Sequence, residues 1–219
     1  MNTLTSQPVA GLLQRLFEES STASSSAFAA LPREECMRLM RSKDEYARLY
    51  GEMLKDLWLP VSKETGVLLY TLARSSNASS IIEFGTSFGI STIHLASALR
   101  DNGGGRLITT EFEPNKIRKA NAHIAEAGLA DLVETRAGDA LQTLAADLPE
   151  GVDLLLLDGA KSLYGDVLDL VEERLKPGAL VVADNADYSP EYLQRVRAAD
   201  SGYLSIPFGE DVELSLRIA

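Results

Sequence analysis

The sequence predicts an α/β protein built on a doubly wound, mostly parallel sheet, and three observations predict it. From residue 80 onward, short apolar runs alternate with amphipathic stretches at the spacing of strand–helix units. Runs such as Val152-Asp153-Leu154-Leu155-Leu156-Leu157 are apolar at nearly every position, as parallel strands covered on both faces require. The tail breaks the alternation: 203–207 and 212–218 are strand-like runs separated only by a turn around Gly209. They read as an antiparallel hairpin at the sheet edge.

The N-terminal elements are helical. Val9, Leu12, Leu13, Leu16 and Phe17 recur at helical spacing, so 8–17 reads as an amphipathic helix. The Ser/Ala-rich stretch 20–30 buries little and reads as a linker. Helical patterning returns over 33–57, where Ser42 followed by Glu45 resembles a capping box and admits two helices in place of one. Pro60 breaks it, and Ser62 can cap a further helix running to about residue 74. Strands then fall at 80–84, 106–110, 132–135, 152–157 and 179–183, with helices near 90–100, 114–127, 139–147 and 161–175. Ser189-Pro190 starts a last helix before the hairpin. The chain divides into an N-terminal helical extension, 1–57, and a sheet-bearing domain, 58–219.

Composition narrows the function. The chain has 219 residues, 45% hydrophobic and 24% charged, as one soluble α/β domain with a modest extension would have. Its 21 Lys plus Arg against 32 Asp plus Glu give a net charge of −11, which argues against a nucleic-acid partner. Cys36 is the single cysteine, and His94 and His123 fall on separate predicted helices, so a disulfide framework and a zinc site are not expected. With no signal segment and no run of roughly 18 apolar residues, a cytoplasmic location without membrane contact is expected.

Ligands of such sheets bind beyond the carboxyl ends of the strands, near the point where strand order reverses. The first strand ends in Glu83-Phe84-Gly85-Thr86-Ser87-Phe88-Gly89-Ile90-Ser91. Its Gly-x-x-x-Gly spacing differs from the dinucleotide fingerprint, and Glu83 would repel a pyrophosphate. The acidic loop suits a ligand with an amino group and a sulfonium, and a tight strand-to-helix turn is the plain alternative. Glu111, ending the second strand, is placed to accept from a ribose diol, or is a solvated loop carboxylate. Asp139 after the third strand caps the next helix, accepts from an adenine amino group, or does both. Three acidic residues at three consecutive strand ends favour a nucleoside site.

The stretch from Glu83 to Ser91, Glu111, Gly138-Asp139, Leu156-Leu157-Asp158 and Leu175-Lys176-Pro177-Gly178 resemble the successive motifs of class I S-adenosylmethionine-dependent methyltransferases. More narrowly, they resemble the catechol and caffeoyl-CoA O-methyltransferase families. The resemblance covers roughly residues 58–219. It implies a Rossmann-like sheet of strand order 3-2-1-4-5-7-6 and S-adenosylmethionine as cofactor. Val61 and Ser62 would flank the cofactor's methionine part, and Glu83, Gly85, Ser87 and Ser91 would line its amino-acid end. Glu111 would hold the ribose and Asp139 the adenine, with Asp158 closing the cofactor site at the fourth strand.

Strands four and five end in Asp158 and Asp184-Asn185. Neighbouring strands lie about 4.8 Å apart, so these side chains would converge. Two carboxylates and an amide oxygen suit Mg²⁺, with Ca²⁺ or Mn²⁺ as alternatives, and leave positions for acceptor oxygens. The resembling families use Asp, Asp and Asn here as metal ligands; helix capping and a turn are the structural alternative. Lys161, at the matching position of those families' catalytic lysine, is the expected general base, its pKa depressed by the adjacent cation. Tyr164 also fits their pattern. Gly159 and Ala160 depart from it: the catechol family has bulky side chains there, and the caffeoyl-CoA family has an Asp in place of Ala160. A more open or differently shaped pocket is expected. The expected function is metal-assisted O-methylation of a small phenolic or vicinal-dihydroxy acceptor by a homodimer whose N-terminal helices cover the active site or form the dimer contact. A metal-independent N- or O-methyltransferase, a nicotinamide oxidoreductase and a non-catalytic cofactor-binding protein are the alternatives.

Overall fold

The computed structural model describes residues 2–22, 32–209 and 211–218. Helices α1 (Val9–Thr22) and α2 (Arg33–Arg41) come first, followed by a helical turn Tyr46–Arg48 that runs into a π-helical turn Leu49–Met53. Then α3 (Lys63–Ser75), β1 (Ser80–Phe84), α4 (Ile90–Asp101), β2 (Arg106–Glu111), α5 (Pro114–Glu126), β3 (Val133–Ala137) and α6 (Ala140–Thr143) alternate. The chain closes with β4 (Val152–Leu157), α7 (Tyr164–Val171), β5 (Leu175–Ala183), α8 (Pro190–Arg197), β6 (Tyr203–Phe208) and β7 (Val212–Arg217). The seven strands lie in the order β3-β2-β1-β4-β5-β7-β6. β7 runs antiparallel to both of its neighbours and the other pairings are parallel, so the expected α/β sheet and its terminal hairpin are both present.

Strand residues alternate between two cores, as a period of two demands. Ile81, Leu107, Leu154, Leu156 and Val182 face the layer of α1, α3, α4 and α5. Ile82, Ile108, Leu155, Leu157 and Val181 face α6, α7 and α8. Each such Leu or Ile contributes about 1.5–3 kcal/mol by leaving water. Val9, Leu12, Leu13 and Leu16 of α1 belong to the first core, so the apolar stripe of that helix is spent inside this chain. At the far edge, Leu204, Ile206 and Phe208 of β6 share one exposed face.

Several boundaries differ from expectation for identifiable reasons. Helix α1 runs five residues beyond the expected end, to Thr22, while the expected linker otherwise lies outside the described residues. The 33–57 stretch breaks after Arg41, where Ser42 Oγ accepts from Glu45 N at 3.2 Å. The helix expected over 139–147 ends at Thr143, because the Arg136 guanidinium takes the carbonyls of Thr143, Ala146 and Asp147. Strand β5 starts at Leu175 rather than Ala179, with a register shift opposite Val152–Leu154. No described helix is long and apolar enough to cross a membrane.

Candidate active site

The carboxyl ends of β1, β2, β4 and β5 meet at the switch in strand order, where the sequence places its candidates. Gly85 turns away from β1 at φ 103, and a Cβ there would sit 2.6 Å from the Asp158 carbonyl oxygen. Only glycine lets the first loop pass this close to β4. Ser87 also takes a left-handed φ of 47, and its N–H donates to Glu111 Oε2 at 2.9 Å. Phe112 and Glu113 N–H groups donate to Glu111 Oε1 at 3.0 and 3.1 Å. Burial holds the Glu111 carboxyl above its ordinary pKa despite Lys116 and these donors. Asp139 Oδ1 caps α6 by accepting from Leu141 N at 2.9 Å, and Tyr46 Oη donates to Oδ2 at 2.7 Å. Glu111, Asp139, Gly85 and Tyr46 share a cavity of about 170 Å³.

Glu83 is fully buried beneath the loop, with Ser91 Oγ and Thr92 Oγ1 donating to its two oxygens at 2.6 Å each. Burial pushes its carboxyl up to about 7 against the pull of these hydroxyls. Val61, Gly85, Ser87, Ser91 and Asp158 border a small void of about 10 Å³ above it. Its roof is Trp58, stacked on Phe88 at 4.2 Å and facing His123 at 6.2 Å. His123 Nδ1 lies 2.9 Å from the Phe88 carbonyl oxygen, and Lys119 Nζ stands 5.2 Å over the Phe88 ring. Ser62 caps α3 by accepting from Thr65 N at 2.9 Å, and lines the neighbouring cavity instead.

That cavity, about 300 Å³, contains Asp158, Lys161, Asp184, Asn185 and Asp211 on one side, and Met40, Tyr50, Leu59 and Pro60 on the other. Lys161 is buried, with Nζ donating to Asp158 Oδ1 and to Tyr164 Oη at 2.8 Å each. Tyr164 Oη in turn donates to the Asp184 carbonyl at 2.7 Å. Burial pushes Asp184 up to about 8, reinforced by the Asp158 charge. Burial raises Asp158 as well, against the pull of Lys161. The expected depression of the Lys161 pKa depends on a cation beside it. Burial alone would lower it, but Asp158 first, then Tyr164, Tyr50 and Asp184, hold the ammonium well above its ordinary value.

The donor set fits a hard divalent cation in chemistry. Burial raises both carboxyls, and the Asp158 charge raises Asp184 further, a cost a cation would relieve; Asn185 keeps an amide oxygen while its Nδ2 donates to Asp211 Oδ2 at 3.0 Å. Among the described residues no group of three His, Cys, Asp or Glu side chains gathers as a metal site, so the set rests on two carboxylates and one amide. Of the two shapes expected around Gly159, more open or different, the structure has the second. A Cβ at Gly159 would meet the Phe84 ring at 2.5–2.7 Å, so that ring takes the volume a bulky side chain would fill.

Asp211, Tyr46, Tyr50 and Trp58 are site neighbours that the sequence did not reveal. Tyr50 and Gly159 line both the 170 Å³ and the 300 Å³ cavity.

A seven-stranded sheet of this order, with a glycine turn after β1 and acidic side chains ending β1, β2, β4 and β5, is the class I methyltransferase architecture. Comparison with known proteins makes the assignment narrower. Residues 82–186 match the methyltransferase domain family. A catechol O-methyltransferase of Niastella koreensis is 38% identical over 130 residues, 58% of each protein, so the chain matches less than two thirds of that relative. A protein of Mycobacteroides abscessus assigned as an O-methyltransferase is 34% identical over 150 residues, 66% of this chain and 67% of that one. Among solved structures, an O-methyltransferase of Streptomyces achromogenes involved in tomaymycin synthesis, in complex with S-adenosylmethionine, has a TM-score of 0.66 at 27% identity and covers 98% of this chain and 100% of its own. The chain belongs to the S-adenosylmethionine-dependent O-methyltransferase family.

Proposed function

We propose that the protein transfers the methyl group of S-adenosylmethionine to a hydroxyl of a small phenolic or vicinal-dihydroxy acceptor, assisted by a divalent cation. One observation carries this reading: a cavity lined by Glu111 and Asp139 adjoins a second lined by Asp158, Asp184 and Lys161, the two sharing Gly159 and Tyr50. A methyl donor in the first would face an acceptor in the second, and in-line transfer is chiefly a matter of such positioning. The cofactor-bound streptomycete structure and the likeness to a catechol O-methyltransferase of Niastella support the two halves. Asp158, Asp184 and Asn185 would hold the cation. It would supply positive charge that stabilises an oxyanion on the acceptor and offsets the hold of Asp158 on the Lys161 proton. Met40, Leu59 and Pro60 give the acceptor apolar surface, while Lys161 is the one cationic residue among the described lining residues.

The test is methyl transfer from labelled cofactor to a catechol and phenol panel, with Mg²⁺ or with excess EDTA. Asp158→Ala and Asp184→Ala should abolish transfer to catechol, and Asp184→Ala should leave S-adenosylhomocysteine affinity within a factor of about two, since Asp184 lines the acceptor cavity and neither of the other two. The Asp158–Lys161 ion pair at 2.8 Å favours a second reading, a metal-independent enzyme, because it already compensates one carboxylate. Full activity in EDTA would select it.

A further inference from the structure

The cofactor cavity is closed from outside by a segment that the sheet does not supply. Tyr46, Ala47 and Tyr50 line it, on the two helical turns that precede α3 and outside residues 82–186. Beside its apolar packing, two contacts tie this segment to the cavity. Tyr46 Oη donates to Asp139 Oδ2 at 2.7 Å, and a Cβ at Gly51 would come within 3.0 Å of the Phe112 ring, itself part of the cavity lining. Asp139 Oδ1 is committed to the Leu141 N–H at 2.9 Å. Oδ2 has two acceptor sites; Tyr46 fills one, which fixes the rotation of the carboxylate and leaves the other for a donor within the cavity.

Resting on the cofactor reading above, we propose that Tyr46 is an adenine-selecting residue. Its phenol holds Asp139 as an oriented acceptor, so the site prefers a purine that presents an amino group there to one that presents a carbonyl. Burial and the Asp139 carboxylate push the Tyr46 phenol up to about 12, so it remains a donor throughout the neutral range. A tyrosine that merely covered the cavity would stabilise both purines equally, which separates the two roles.

The experiment is calorimetric binding of S-adenosylhomocysteine and its six-oxo analogue, S-inosylhomocysteine, to wild type, Tyr46→Phe, Asp139→Asn and the double variant. Wild type should favour the adenosyl ligand. Tyr46→Phe should weaken that ligand roughly three- to tenfold, the span of one hydrogen bond, and leave the inosyl ligand nearly unchanged. Asp139→Asn should erase or invert the preference, because its amide can donate to the carbonyl, and adding Tyr46→Phe should then change the preference no further. Equal weakening of both ligands by Tyr46→Phe, or no weakening at all, overturns the proposal and leaves Tyr46 a packing residue. Wild type binding neither ligand would instead overturn the cofactor reading beneath it. Thermal melts of each variant separate a loss of folding from a loss of selection, and the Asp139→Asn preference tests the carboxylate independently of any Tyr46 variant.

Discussion

Lys161 carries two burdens that one substitution can confuse. It is buried beside Asp158, and its ammonium also holds the Tyr164 phenol, so it is part of the folded core as well as a candidate base. Removing one member of a buried ion pair costs about 3–5 kcal/mol, because the other charge is stranded. Lys161→Met should therefore lose both stability and activity. Lys161→Arg keeps the charge near Asp158 and should lose less stability, yet it cannot release a proton near neutral pH. Both variants should be slower by roughly 10²–10⁴-fold, the worth of a general base, at cofactor affinity close to wild type. Urea unfolding and single-turnover methyl transfer would separate the effects. Near-full activity in a folded Lys161→Arg would make the residue an electrostatic partner of Asp158 and no more. The strand-end residues Asp158, Asp184 and Lys161 were legible in the sequence because each sits at a fixed offset from an apolar run. Asp211 was not. It reaches the site only because β7 pairs antiparallel to β5, Ala183 opposite Glu213, which returns the hairpin turn to Asn185.

At the scale of the element, β1 and the start of α4 act as a unit. Glu83 at the penultimate position of β1 is tied to Ser91 and Thr92 in the first turn of α4, so strand and helix share one buried carboxyl. The unfolded chain releases that proton near 4.5, while the folded chain holds it to about 7. Between those values the folded state binds more protons, so the contribution of Glu83 to stability falls as pH rises through this window. Glu83→Gln, which keeps a polar group for the two hydroxyls, should remove roughly 3 kcal/mol at most of that pH dependence. Urea unfolding at pH 5 and pH 8 would read it; an unchanged slope in the variant would show that Glu83 is ionised in the fold. Elements with repeated apolar signals, such as β1, β2 and β4, stood out in the sequence. The helix α6 was expected near 139–147, but its early end was not, because that end is set by Arg136 of β3, and no helical pattern records that contact.

Across the whole molecule, the sheet supplies the ends of two cavities and the segment before α3 supplies their outer wall. A sequence reading places strand ends well, since topology follows from alternation, but the docking of residues 46–53 depends on single contacts such as Tyr46 to Asp139 and Gly51 to Phe112. A ligand that fills the cofactor cavity touches both parts and should couple their stability. At a concentration one hundred times its Kd, S-adenosylhomocysteine should add about 2.7 kcal/mol. For a chain of this size that corresponds to a Tm increase of about 5–10 °C. Nicotinamide dinucleotides should add nothing, because the loop after β1 lacks the dinucleotide glycine spacing. EDTA should leave the S-adenosylhomocysteine shift intact, since Asp184 and Asn185 line only the acceptor cavity while Glu111 and Asp139 line the other. A shift that vanished with EDTA would mean that the cation is part of the cofactor site, and the separation of the two cavities would have to be abandoned. A shift produced equally by nicotinamide dinucleotides would break the link between the acidic strand ends and S-adenosylmethionine.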